Sequence, residues 1–295
     1  MVVRPLPAHR VLSLSTMPLQ STEVTDEDLL AALVLLQRYK LELSQVAGDA
    51  LGDGATVGLD CEILVATHLA GGASPSELVD RLGIPRSTLA RGLARLRGQG
   101  LVERTVDTVD ARRAVLRPTP AGAAAVARFH AVLDGWLRDS APVVKEVALL
   151  LRRDPEAMGS TGKPATVAEV TERINAVSAA YGRDVSAVAA RHGLVETLDR
   201  FAVVYLARHA SRPSLLAEHL HLTPAGTTSL LDRLEGLGLV ERHTRALTTD
   251  RRAVLVQLTP SGRAAAAACL EAFERHHDAF VDALGTTLRL VASNR

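Results

Sequence analysis

The chain has 295 residues, 47% hydrophobic but only 3% aromatic, and carries a formal charge of +1. That length permits two domains of ordinary size, and cores drawn from Leu, Val and Ala favour helices. The charge excludes a globally basic nucleic-acid binder. No apolar run is long enough to span a membrane. Two cysteines, Cys61 and Cys269, exclude a disulfide framework and suit a reducing, cytoplasmic setting.

Residues 1–23 read as a disordered leader. Arg4, Pro5, Pro7 and Arg10 interrupt any compact apolar signal core. From about Thr25 to Val46, Leu29, Leu30, Leu33, Leu36 and Leu43 predict a long amphipathic helix with more apolar surface than a small domain needs. A scaffold helix is expected over Asp60–Leu69, broken by Gly71 and Gly72. Ser74 with Glu77 makes a capping box for a short helix, and Gly83 ends it. After Pro85 a second helix follows, with Leu89, Leu93 and Leu96 on its apolar face. Arg86, Ser87, Thr88, Arg91 and Arg95 fall largely off that face. Two short helices around a tight turn, then a polar hairpin closed by Ala114, Val115 and Leu116, read as a winged helix-turn-helix. Thr119 or Pro120 starts another long helix, carrying Ala124, Val126, Phe129, Val132, Leu133 and Trp136, and a further helix over Val143–Leu151 follows the Ser140–Pro142 break; the composition of RDPEAMGSTGKP, Arg153–Pro164, marks a linker, bounded at 154–165.

The order then restarts. A helix over Val167–His192, with a possible interruption at Gly182, and a scaffold helix over Leu198–Ala207 precede a second reading unit. A spacing of 138 aligns Leu78 with Leu216, Leu82 with Leu220 and Leu96 with Leu234, and GLVER is identical in both copies. Beyond it the spacing is 140, so the second wing is longer by two residues. Pro118 stands where the second copy has Leu258 and should shorten the first return strand. An internal repeat of this kind sets the architecture: mainly α with small β wings, a first winged domain over 24–153 and a second over 166–295. The long outer helices need a partner surface, and the other half supplies it, giving an intrachain pseudo-dimer, monomeric with internal pseudo-two-fold symmetry.

The two copies are unequal. Between Ser74 and Pro118 the balance is +4; between Arg212 and Leu258 it is +1. The second reading helix offers Thr223, Thr227, Thr228 and Ser229, with no Arg before Arg233, and hydroxyls lack the bidentate match of Arg to guanine.

Both halves resemble the MarR family of winged helix-turn-helix transcription regulators, here as a tandem fusion. The motif is GLVER, then D-x-R, an apolar strand and T-P-x-G, at Asp110, Arg112 and Thr119–Gly122, and again at Asp250, Arg252 and Thr259–Gly262. The resemblance implies duplex DNA as partner, repression relieved by a small aromatic or anionic effector, and a wing arginine in the minor groove oriented by its aspartate. Those roles fall on Arg112 with Asp110 and Arg252 with Asp250; Arg113, Arg245 and Arg251 are further basic wing residues. Trp136, Tyr181 and Tyr205 are the candidates for an effector cleft.

No HExxH, Walker-type loop, CxxC pair or paired acid site appears, so neither catalysis nor a cofactor is expected. His219, His221, His276 and His277 lack grouped cysteine or carboxylate ligands, so no metal is expected. The cysteines read as small buried hydrophobes, with a redox switch as the sharper alternative. Two rival functions stay open: a protein-interaction module with degenerate DNA reading, and a nonspecific architectural DNA binder.

Overall fold

The computed structural model describes residues 24–51, 59–106, 114–247 and 250–293. The predicted leader therefore lies outside the described residues. Helix α1 (Asp26–Leu51) starts where Thr25 and Asp28 exchange hydrogen bonds: Thr25 Oγ1 accepts from the Asp28 amide, and the Asp28 carboxylate accepts from the Thr25 amide. Helices α2 (Leu59–Leu69), α3 (Pro75–Leu82) and α4 (Arg86–Gly98) follow. Strands β1 (Val102–Val106) and β2 (Ala114–Pro118) form an antiparallel hairpin, and α5 (Pro120–Asp139) and α6 (Ala141–Leu150) complete the first half. After α7 (Pro155–Ser160) the order repeats. It runs through α8 (Val167–Ala190), α9 (Thr197–Arg208), α10 (Pro213–Leu220) and α11 (Pro224–Gly236). A second hairpin, β3 (Val240–Leu247) with β4 (Asp250–Leu258), leads to α12 (Pro260–Glu274) and α13 (His277–Ala292).

The two halves are built by the same local chemistry. Ser74 and Glu77 form the predicted capping box on α3, and Thr166 with Glu169 forms another on α8. The turn between α3 and α4 needs a left-handed residue, supplied by Gly83 at φ 64°; His221, at φ 53°, fills the equivalent place between α10 and α11. The segment before each reading unit adds a third edge to its hairpin. Ala73 and Leu116 exchange both backbone hydrogen bonds, as do Ser211 and Val256.

The T-P-x-G motif is a structural lock. Thr119 caps α5 by accepting from the Gly122 amide at 3.0 Å, and its hydroxyl donates to the Gly100 carbonyl at 2.6 Å. Gly122 is required because a Cβ there would lie 2.0 Å from the Leu101 carbonyl oxygen. Thr259, Gly238, Gly262 and Leu239 repeat each of these contacts.

The long helices reach across the halves. Helix α1 packs on α5 and α6 of its own half and on α9, α10 and α12 of the other. Helix α8 packs on α12 and α13 and, in return, on α2, α3 and α5. Leu29, Ala32 and Leu33 of α1 are thus buried in one apolar cluster with Phe201, Val204, Leu216 and Leu234. Val170 of α8 and Leu290 of α13 lie in the cluster of Ile63, Leu78, Leu96 and Phe129.

Three local expectations are corrected. Helix α8 runs unbroken through Gly182, where the surroundings are open and the only cost is helix propensity. The linker is partly ordered: Asp154 accepts from the Glu156 amide and starts α7, which packs on α13. Pro118 does not shorten its strand at that end. It pairs with Val102 just as Leu258 pairs with Val240, in the last position, where a missing N–H breaks no ladder.

Candidate nucleic-acid interface

Helix α4 seats Leu89, Leu93 and Leu96 in the first core, which turns Arg86, Ser87 and Arg91 outward. All three are exposed, and neither arginine has an ion-pair partner among the described residues. Thr88 is half-buried beside them.

Arg95 departs from the expected role. Its Nε and Nη2 donate to the two carboxylate oxygens of Asp60 at 2.8 and 2.7 Å, and Asp60 is fully buried. The hydrogen bond to Asp60 holds the guanidinium above its ordinary pKa. Arg95 therefore fastens α4 to α2. Arg233 makes the same fork on buried Asp199, fastening α11 to α9. Both arginines lie off the leucine face, which is the pattern expected of DNA contacts; their partners sit 35 and 34 residues earlier, and no local pattern in either helix marks them.

The second reading helix is also less open than its sequence suggests. Thr223 is the N-cap, its hydroxyl oxygen accepting from the Gly226 amide at 3.1 Å. Thr227 is buried at 3% exposure and donates to the Thr223 carbonyl. At the repeat spacing it takes the place of Leu89 in the core. Thr228 and Ser229 are exposed, with the Thr228 hydroxyl donating to the Pro224 carbonyl.

Two further cations separate the halves. Arg104 and Arg97 are exposed in the first unit. Their counterparts are Arg242, held by Asp232 and Glu235, and Glu235 itself. Among the described residues Arg97 and Arg104 make no ion pair, where the second unit neutralises Arg242. Sequence alignment of the copies carried this signal, but a count of net charge blurred it.

Asp110, Arg112 and Arg113 at the first wing tip lie outside the described residues. Arg245 lies in β3, and Asp250, Arg251 and Arg252 lie in β4; their backbones are placed, with Leu247 paired to Asp250 and a register shift between Arg245 and Leu247.

Of the three aromatic candidates, only Tyr181 borders a cavity between the halves; Trp136 packs on Tyr39 in a tilted pair, with ring centroids 4.6 Å apart, and Tyr205 stacks on His219 at 4.3 Å. Tyr39, absent from the sequence-based candidates, borders the cavity too. Cys61 and Cys269 are both buried, and burial pushes their thiols up to about 12 and about 11. Thiols held so far from ionisation favour the packing role over a redox switch. No helix among the described residues is long and apolar enough to cross a membrane.

Comparison with known proteins gives partial likenesses. No curated protein matches. Two solved structures of a mutant MarR from E. coli are similar. One, complexed with operator DNA, is 22% identical, covers 41% of this chain and 80% of its own, and has a TM-score of 0.31. The other is 21% identical, covers 40% and 82%, and also has a TM-score of 0.31. The MarR family model matches residues 58–113, from the scaffold helix through the reading helix into the first wing, so a MarR-family winged-helix domain covers part of this chain.

Proposed function

We propose that the chain is a sequence-specific, double-stranded-DNA-binding transcriptional regulator whose two winged units, over 24–153 and 166–295, form an internal pseudo-dimer. The reading is of a repressor released by a small molecule. The observation that carries it is the reciprocal exchange of long helices: α1 lies in the core of the second unit and α8 against the first reading unit. In a two-chain regulator, association would provide this packing; here the chain's own second half does. The match to the MarR family model supports a DNA-binding, non-enzymatic regulator.

Arg86, Ser87 and Arg91 then face the major groove from the first unit, and Thr228 and Ser229 from the second, with Thr223 at the helix start. Arg112 with Asp110, and Arg252 with Asp250, are assigned to the minor groove. Arg113, Arg245 and Arg251 add phosphate grip. The two half-sites are read unequally, because hydroxyls replace arginine on α11.

The test compares affinity for the chain's own upstream DNA with that for scrambled duplex at matched salt. Preference for the upstream DNA is expected. Arg91→Ala should cost about 1–3 kcal/mol and change the preferred sequence, and Arg112→Ala should weaken binding to every duplex. Equal weak binding to both duplexes would favour an architectural binder instead, and no binding a protein-interaction module.

A further inference from the structure

A cavity of about 420 Å³ lies between the halves, within the size range of small-molecule sites. Leu33 and Gln37 of α1, Phe129 of α5, Tyr181 of α8 and Phe280 of α13 all border it. The wall is mostly aliphatic and aromatic, yet two polar atoms on it are left over, Gln37 Oε1 and the Tyr39 hydroxyl. Gln37 is only 4% exposed, and its Oε1 has no hydrogen-bond partner among the described residues. A buried amide oxygen left unpaired loses its hydration without recompense, a loss that a donor in the cavity would recover.

The charged groups in the wall do not call for a charged ligand. The Arg200 guanidinium already donates to the Val195 carbonyl at 3.0 Å and to Thr197 Oγ1 at 2.9 Å. Lys40 is exposed to water. Burial, partly opposed by Lys40, holds the Glu62 carboxyl above the usual carboxylate range, so the wall already resists negative charge.

We propose that this cavity binds one neutral, mainly apolar molecule per chain, which donates a hydroxyl or amide hydrogen to Gln37 Oε1. The inference rests on the regulatory reading above and supplies the chemical class of its effector. It also says which unit responds. Leu82, Gly83, Ile84 and Pro85, the turn of the first reading unit, line the cavity, while no residue of the equivalent turn over 220–224 does. Occupancy therefore acts on the arginine-bearing reading helix and leaves the other in place.

Three matched probes test this by calorimetry on the full chain without DNA: 4-butylphenol, butylbenzene and 4-butylbenzoate. The phenol should bind once per chain, about tenfold tighter than either of the others, the worth of one well-made hydrogen bond. Gln37→Leu should bring the phenol to the level of butylbenzene while butylbenzene binding persists, which shows that the variant is folded. Footprinting with the phenol should then lose protection over one half-site only. Preference for the benzoate, two molecules per chain, no saturable binding, or a Gln37→Leu variant that still prefers the phenol would each overturn the proposal. Phenol binding by a chain with no affinity for DNA would leave the site standing and sink the regulatory reading. DNA binding without phenol binding would do the reverse.

Discussion

Arg91 and Arg95 are one helical turn apart on α4, yet they serve different ends. Arg91 has nothing to hold it among the described residues, whereas Arg95 neutralises the buried carboxylate of Asp60. Removing Arg95 takes the guanidinium fork away from a carboxylate that is fully buried. Arg95→Ala should therefore destabilise the fold clearly more than Arg91→Ala, although the outer face of Arg95 is solvated. Arg91→Ala should stay within about 0.5 kcal/mol of the parent. Denaturant melts of the two variants check this, and equal stabilities would show that the Asp60 fork contributes nothing. Helical periodicity made the outward set of α4 legible but could not distinguish a free cation from one turned back on its scaffold. Thr227 shows the same limit from the other side. A threonine near the start of a reading helix looks like a DNA contact, and only its alignment with Leu89 marks it as core.

Among the elements, caps and turns were the most legible, because their chemistry is local. Ser74 with Glu77, Gly83, Pro85 and T-P-x-G all specify their own backbone within a few residues. Helix α7 was hidden because Gly, Ser and Pro around it imitate a linker, and its order comes from packing on α13. The turn at Gly83 adds a long-range demand that no local pattern shows. A Cβ there would sit 2.7 Å from Arg183 Nη1 and 3.1 Å from the Ala179 carbonyl oxygen, so α8 presses directly on the turn of the first reading unit. The arginine tip can move away; the carbonyl cannot. Gly83→Ala should cost about 1–3 kcal/mol, combining left-handed strain with that contact. Thermal melts measure the loss. His221 shows that the left-handed conformation alone is tolerable with a side chain, so a neutral Gly83→Ala would mean that α8 does not bear on the turn.

At the scale of the molecule, the repeat announced two similar halves but said nothing of how they share their cores. Covalent connection makes the sharing possible: α1 belongs to the first half by sequence and is buried against both, on α5 and α6 of its own half and on α9, α10 and α12 of the other. Phe201, Val204 and Leu216 lie in an apolar cluster that α1 helps to close, and deleting α1 would expose apolar surface in that cluster. A fragment of residues 154–295 is therefore expected not to form a stable monomer, whereas the full chain should scatter light as a monomer and melt in one cooperative transition. A synthetic peptide of residues 24–51 added to the fragment should raise its melting temperature, because Leu29, Ala32 and Leu33 return to the cluster they fill. A fragment that melts as a monomer near the parent temperature, indifferent to the peptide, would show that each half folds alone and that the exchange of long helices does not hold the halves together.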